Sequence, residues 1–488
     1  MPAANPISTA DRAFFQLASR AAFTNPFSDE RHELDRQLLG RAADGPDTIG
    51  QLSAALAVRL TKLERQGAAD FRRYAGEERE VMWSVFLFEV YHQTCAAFDQ
   101  LISEQTRAGD RSCPVPFAGD ALAALARRGF TREEAVRAFG IFYQLRRAFF
   151  FIQQGLVGQS ACMKEFRRHL WNSVVTHDIR WYDRYLWSRM EDFSTLLLGE
   201  TGTGKGAAAA AIGRSGYIPF DERRGTFTES FTSGFVALNL SQFPEALIES
   251  ELFGHKKGAF TGAIEAHQGV LARGSPHGAI FLDEIGDVAV PVQIKLLQVL
   301  QERAFSPVGS HDKLRFRGRV IGATNKPLAA LRQSQLFRDD FFYRLSSDVI
   351  TVPPLRQRLH ESPAELDLLL AHLVTRMAGQ PAPELAALVR EVLTQGVGPH
   401  YAWPGNVREL EQAVRRILLT RRYDGDRASA TSDLRTELMA ALDSGTLDAD
   451  RLLHTYCTLL HQRHGTLEEV ARRSNMDRRT VKRYLAAK

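Results

Sequence analysis

The sequence predicts an α/β fold: a parallel sheet with helices on both faces, preceded by an all-α segment and followed by helical units ending in a helix-turn-helix. Three observations predict it. From Val157 onward the short apolar runs "FSTLLLGE", "GFVALNLS", "GAIFLDEI" and "RVIGATN" alternate with helical stretches, as strands of a sheet buried on both faces do. Before that point helical spacing dominates and strand-like alternation is scarce. At the far end, "TLEEVARRSNMDRRTVKRYLAAK" reads as helix, turn and helix.

Bulk properties narrow the class. A chain of 488 residues exceeds one hydrophobic core, so about two to four domains are expected. With 44% hydrophobic and 24% charged residues, disorder and collagen-like structure are excluded for the whole chain. Cys95, Cys113, Cys162 and Cys457 lie far apart without a CxxC pair, which argues against a zinc or redox site and for a reduced, cytoplasmic protein. No secretory signal is legible at the start. The most apolar stretch, Val81 to Phe98, is interrupted by Glu89, His92 and Gln93 and falls short of the ~20 clean residues of a membrane span. It predicts a buried helix and no membrane partner.

In chain order, residues 1–155 predict a helical N-terminal domain. Phe139, Phe142, Leu145 and Phe149 recur at three- and four-residue steps, the stripe of a helix that packs one face. A receiver domain would show strand-helix alternation, which is missing. A regulatory domain is the expectation, with an oligomerisation platform as the alternative.

"TLLLGETGTGKGAAAAAIG" then places a glycine-rich turn between an apolar strand and an alanine-rich helix. Gly199, Glu200, Thr201, Gly202, Thr203, Gly204, Lys205 and Gly206 form this phosphate-binding loop, its amides turned to the phosphates and Lys205 reaching the β- and γ-phosphates of ATP. Gly206 stands where the general pattern has a magnesium-binding Ser or Thr. In "GAIFLDEIGD" a strand ends in Asp283 and Glu284; Asp283 is the expected Mg²⁺ ligand and Glu284 the group that polarises the attacking water. Since Mg²⁺ keeps several waters in its shell, hydrolysis is expected to survive Gly206.

Between these motifs stands "ESELFGHKKGAFTGA", with Gly258 and Gly262 bracketing Ala259, Phe260 and Thr261 ahead of Ala263. An exposed Phe at a loop tip calls for a partner. Here the chain resembles the bacterial enhancer-binding proteins, AAA+ activators of RNA polymerase carrying sigma-54. GAFTGA is their hallmark, and "LVGQSACMKEF", "FRDDFFYRLS", "PPLRQR" and "WPGNVREL" follow the family order from about Val157 to Arg421.

The resemblance implies an AAA+ P-loop ATPase, with an α/β subdomain at 156–352 and a helical lid at 353–421. It implies that Gly258 to Ala263 meet sigma-54, with Phe260 and Thr261 making the contact. Asn239 matches the switch residue that senses Glu284 and the γ-phosphate. Thr324 and Asn325 match sensor I, Arg338 and Arg344 the arginine fingers given to a neighbouring subunit of a hexameric ring, and Arg408 sensor II. Two departures stand out: Gly206 where the family usually has Glu, and Lys256 where an acid is common. Gly213 to Gly234 is longer than its family counterpart and reads as a surface insertion, with Phe220, Phe227 and Phe231 as alternative contact residues.

After a polar linker at 422–447, residues 448–488 predict a DNA-binding helix-turn-helix that resembles the Fis-type domain. Thr466 and Glu469 form a capping-box pattern, and Val470, Met476, Val481 and Leu485 are spaced for a shared core. Arg478, Arg479, Thr480, Lys482 and Arg483 project from the second helix toward a major groove. From His461 to the end, eight Lys/Arg face three acids, an excess equal to the +5 of the whole chain; basic charge gathered in one module suits double-stranded DNA. The expected function is ATP-driven remodelling of the sigma-54 RNA polymerase closed complex. The alternatives are a remodeller of another protein, or a DNA-binding regulator with a decayed ATPase.

Overall fold

The computed structural model describes residues 7–40, 48–398, 401–425, 438–439, 441–442 and 447–486. The chain divides into two compact units, Met1–Leu368 and Leu369–Lys488. Most of the expected linker, 422–447, lies outside the described residues.

The first unit begins with a helical head: α1 (Thr9–Phe23), α2 (Asp29–Leu39), α3 (Thr48–Arg65), α4 (Gly76–Ala108), α5 (Ala118–Arg127) and α6 (Arg132–Gly155). The apolar stretch at Val81 falls inside α4, where Met82, Val85, Phe86 and Phe88 are buried. Glu89, which interrupts it, is buried too and receives two hydrogen bonds from Arg128 at 2.7 and 2.8 Å; a buried carboxylate is tolerable when paired in this way. No helix among the described residues is long and apolar enough to cross a membrane. Helix α6 starts at a capping box between Thr131 and Glu134.

Helix α7 (Ala161–Val175) and the one-turn α8 (Ile179–Trp181) lead into the sheet. Its strands are β1 (Thr195–Leu198), β4 (Phe235–Asn239), β5 (Ala279–Asp283), β8 (Arg319–Thr324) and β9 (Asp348–Thr351), in the order β4-β5-β8-β1-β9. Every pairing is parallel, with Leu198 opposite Thr324 and Asn239 opposite Asp283. The first three residues of β1, the first four of β5 and all of β8 are buried, as sheets covered on both faces require. The helices on those faces include α9 (Lys205–Gly213), α10 (Glu245–Phe253) and α11 (Val290–Glu302), and the shorter α12 (Leu328–Gln333), α13 (Asp339–Leu345) and α14 (Leu355–Glu361) follow. Two short hairpins stand outside the sheet, β2 (Phe220–Asp221) with β3 (Thr226–Phe227), and β6 (Ala304–Phe305) with β7 (Leu314–Arg315).

The first hairpin corrects one expectation. Residues 213–234 are not a surface insertion: Phe220, Phe227 and Phe231 are buried in the same core as Phe98, Phe139 and Tyr143 of the head. Phe227 stacks on Tyr143 at 3.9 Å between ring centroids, and Phe220 meets Phe139 edge-on at 5.1 Å. Aromatic burial of this kind is worth more than its area alone, and it joins head to sheet.

In the second unit α15 (Ala364–Ala378), which begins at the end of the first unit, is followed by α16 (Pro383–Gly396), α17 (Asn406–Thr420), α18 (Ala449–His464), α19 (Leu467–Ser474) and α20 (Arg478–Ala486). Cys457, Val470 and Val481 form a small core in the last three helices, with Met476 and Leu485 packed against it.

Candidate functional site

The strand ends gather the polar residues. Past β1 the loop 199–204 turns through left-handed φ at Gly202 (80°) and Gly204 (109°), conformations that glycine adopts without penalty. Lys205 opens α9 and is buried; its ammonium donates to the carbonyls of Gly199 at 2.8 Å and Glu200 at 3.2 Å. The lysine thus curls back over its own loop. Thr203 donates its hydroxyl to the Glu200 carbonyl at 2.8 Å. Nothing but the Phe281 ring, at 4.0 Å, would meet a Cβ at Gly206.

Asp283 ends β5, and its Oδ1 accepts from the Glu284 amide at 3.1 Å. Glu284 is left-handed (φ 56°), a costly backbone for this residue that turns the chain sharply after the strand. Burial raises its carboxyl above the ordinary value, with the Lys205 ammonium working against that rise. Asn325 joins both motifs: its amide N–H donates to Glu284 Oε2 at 3.3 Å, and its side chain donates to the Thr201 hydroxyl at 2.8 Å. Thr324 is buried at the end of β8 and accepts from the Lys326 amide at 3.1 Å.

Some expected residues lie elsewhere. Asn239 stands beside Asp283 in register, but its side chain accepts from the Ser241 amide and hydroxyl at 3.0 and 2.8 Å rather than meeting Glu284, because the following turn needs a cap. Arg338 forms a bidentate pair with Asp340 at 3.0 and 2.7 Å. Arg344 donates to the Leu300 carbonyl at 3.1 and 2.8 Å, capping the end of α11. Neither arginine touches the phosphate loop of its own chain. Arg408 is exposed in the first turn of α17, in the second unit.

Sequence reasoning missed Arg356, which follows the paired prolines and grips Glu200 of the loop through two bonds at 2.7 and 2.5 Å. A planar fork suits a carboxylate at two points. The charged residue after "PPL" was the available signal. It also missed Arg319, buried in β8, which donates to the Ser173 carbonyl and hydroxyl and to the Thr195 hydroxyl at 2.6, 2.9 and 2.6 Å.

The segment Gly258–Ala263 forms a tight turn, with the Gly258 amide donating to the Ala263 carbonyl at 2.8 Å and the Ala263 amide to the Phe260 carbonyl at 3.0 Å. Phe260 is 39% exposed and lies edge-on to the His255 ring at 4.9 Å. His255 in turn joins Ser250 of α10 at 2.7 Å to the Glu265 carbonyl at 3.0 Å, bracing the base of the turn. Lys256, the unexpected cation, pairs with Asp312 at 2.6 Å. Thr261 and Gly262 are exposed.

In the terminal helices, Thr466 accepts from the Glu469 amide at 3.4 Å. The capping box is only half formed, since the Glu469 carboxylate is taken by Arg472 and Arg473. Arg478 pairs with Glu468 at 2.8 Å, and Thr480 donates to Asp477 at 2.5 Å. Arg479, Lys482 and Arg483 are exposed, and their side chains form no salt bridge among the described residues, although the Arg479 amide donates to Asp477 at 2.8 Å.

The sigma-54 interaction domain model matches residues 182–351, and the AAA+ ATPase lid domain model matches 360–449. The sigma54-dependent transcriptional activator SfnR of Pseudomonas putida is 37% identical over 284 residues, 57% of this chain and 71% of SfnR. The chain belongs to the sigma-54-dependent transcriptional activators. HyfR of Escherichia coli, a DNA-binding transcriptional activator, is 42% identical over 47% of this chain and 32% of its own length. The regulator NtrC of Azospirillum brasilense is 37% identical over 54% of this chain and 48% of its own. The match thus spans 32% and 48% of these two activators, less than half of either. Among solved structures, NtrX of Brucella abortus with ADP aligns over 75% of this chain and 80% of its own, at 22% identity and a TM-score of 0.40.

Proposed function

We propose that the chain hydrolyses ATP in a ring of identical subunits and uses the motion to remodel the sigma-54 RNA polymerase closed complex into the open one. The supporting observation is the linkage of two features in one subunit: a loop lysine, a strand-end carboxylate pair and a bridging asparagine at the carboxyl ends of β1, β5 and β8, and an exposed Phe260-Thr261 tip after α10, the helix that follows β4 of that sheet. Lys205 would bind the β- and γ-phosphates, Glu284 would take up the proton of the attacking water, and Asn325 would hold Glu284 and Thr201 in a fixed relation as the phosphate leaves.

Asp283 is the hard, anionic oxygen donor that magnesium prefers. Gly206 offers none, so phosphate oxygens and water would complete the shell. The ion supplies neutralising charge at the phosphates. Arg338 and Arg344, held outside their own site, are the residues we assign to the next subunit, which requires them to leave Asp340 and the Leu300 carbonyl. Head-to-tail contact of this kind closes into a ring, here taken as a hexamer. Arg408 is assigned to the nucleotide, and the exposed Arg479, Lys482 and Arg483, with Arg478 and Thr480, to upstream double-stranded DNA.

The test mixes full-length protein with sigma-54, ADP and aluminium fluoride and looks for a stable complex by gel shift. We expect a complex that Thr261→Ala abolishes while basal ATPase persists. ATPase activity without any complex would redirect the motor to another protein target. Absence of both would leave a DNA-binding regulator with a decayed motor.

A further inference from the structure

Glu200 of the glycine-rich loop is held from two directions. Its backbone carbonyl accepts from the Lys205 ammonium at 3.2 Å and from the Thr203 hydroxyl at 2.8 Å, bonds that draw the loop in on itself. Its carboxylate is tied to an element outside the loop, through the two bonds from Arg356 at 2.7 and 2.5 Å. The two side chains of that pair are about half-exposed, 49% and 42%, and an exposed pair adds little to stability. Its consequence lies in the shape of the loop.

Arg356 reaches the loop from a base that is fixed independently of it. Just past β9 the Val352 amide donates to the carbonyl of Leu198, the last residue of β1, at 2.7 Å. Pro353 and Pro354, whose rings lock φ, then lead into α14, where Leu355 is buried. Two residues beyond Arg356, the buried Arg358 donates to the Glu365 carboxylate at 2.8 Å and to the Val157 carbonyl at 2.5 Å. The same carboxylate accepts from the Gln159 amide at 2.6 Å. Helix α14 is thus pinned to the sheet, to residues 157–159 and to the start of α15, and it carries Arg356 to Glu200 on a rigid support.

We propose that Arg356 is a positioning residue for nucleotide: acting through Glu200, it keeps the loop from closing onto Lys205, so that the lysine can pass from the Gly199 and Glu200 carbonyls to the phosphates. This rests on the reading of the loop as the ATP site. Without the fork, Glu200 follows the lysine, fewer molecules hold the loop open, and apparent affinity falls by the same fraction. Arg356 does not touch the nucleotide in this arrangement; Glu200 is its only route to the site. The proposal therefore carries an unusual sign. Removing the Glu200 charge takes an anion away from a phosphate site, which electrostatics alone would make favourable, yet here it weakens binding as much as removing Arg356 does.

The test titrates full-length protein with Mg²⁺ and ADP carrying an N-methylanthraniloyl fluorophore, and measures urea unfolding of the same preparations. Arg356→Gln should weaken binding about fivefold, Glu200→Gln by the same factor, and the double variant no further, because the pair acts as one unit. The KM for ATP should rise in step while kcat stays within about twofold. Four results would each overturn the proposal: unchanged affinity in Arg356→Gln, affinity at or above wild type in Glu200→Gln, losses that multiply in the double variant, or weakened binding that only tracks a lowered urea midpoint. Wild-type protein that binds the probe but does not hydrolyse ATP would end the ATPase reading and leave the binding comparison in force. Wild-type protein that does not bind the probe would overturn both.

Discussion

The two ends of helix α9 are held by different means. At the first end the partners are adjacent in sequence: Lys205 donates to the carbonyls of Gly199 and Glu200, and Gly204 makes the left-handed turn into the helix. At the last end they come from the head. Arg147 donates to the carbonyls of Arg214 and Gly216 at 2.6 and 2.7 Å, and Gln144 to that of Ser215 at 3.0 Å. A cation at a helix C-terminus is favourable, and burial lowers Arg147 only to about 10, so it stays charged near neutral pH. The glycine-loop end of the helix is thus built by a local motif, and the other end by the helical head, which thereby holds the helix.

The largest expected effect breaks the first end. Lys205→Ala should lower ATPase activity at least about 100-fold, about 2.7 kcal/mol of transition-state stabilisation, while circular dichroism shows the fold intact. Activity near wild type would remove Lys205 from the phosphate site. Next comes the second end. Arg147→Met keeps the bulk of the side chain but strips two carbonyls of their donor, so urea unfolding should show a loss of about 1–3 kcal/mol. Wild-type stability in that variant would mean that water or relaxed backbone satisfies the carbonyls and that the head does not secure the helix.

That contrast also explains what the sequence made legible. The loop at Gly199, the carboxylates at Asp283 and Glu284, and the Phe260 turn are short motifs whose chemistry depends on neighbours in the chain, so they could be read directly. Four of the five strands of the sheet, β1, β4, β5 and β8, follow apolar runs that end at turns. The burial of Phe220, Phe227 and Phe231 against the head depends on residues some eighty positions away in α6, and no local period announces such a pairing. Arg356 at Glu200 and Arg319 beneath β1 escaped for the same reason. Asn239 illustrates the reverse: its place in the strand was legible, but its side chain prefers the nearer Ser241.

The smallest expected effect returns to the first end and concerns its least usual residue. Gly206 lies in the first turn of α9, its φ is not left-handed, and an added Cβ would meet only the Phe281 ring at 4.0 Å. Backbone strain and steric closeness therefore give no reason for glycine here. Gly206→Ala should raise stability by up to about 1 kcal/mol through lower unfolded-chain entropy and better helix propensity, with ATPase activity unchanged because no hydroxyl or carboxylate is lost. Thermal unfolding and steady-state ATPase measurements on the same preparation separate the two effects. A gain in stability accompanied by a loss of turnover would show that the loose first turn is used when nucleotide binds, so that the two ends of the helix differ in stiffness as well as in how they are held.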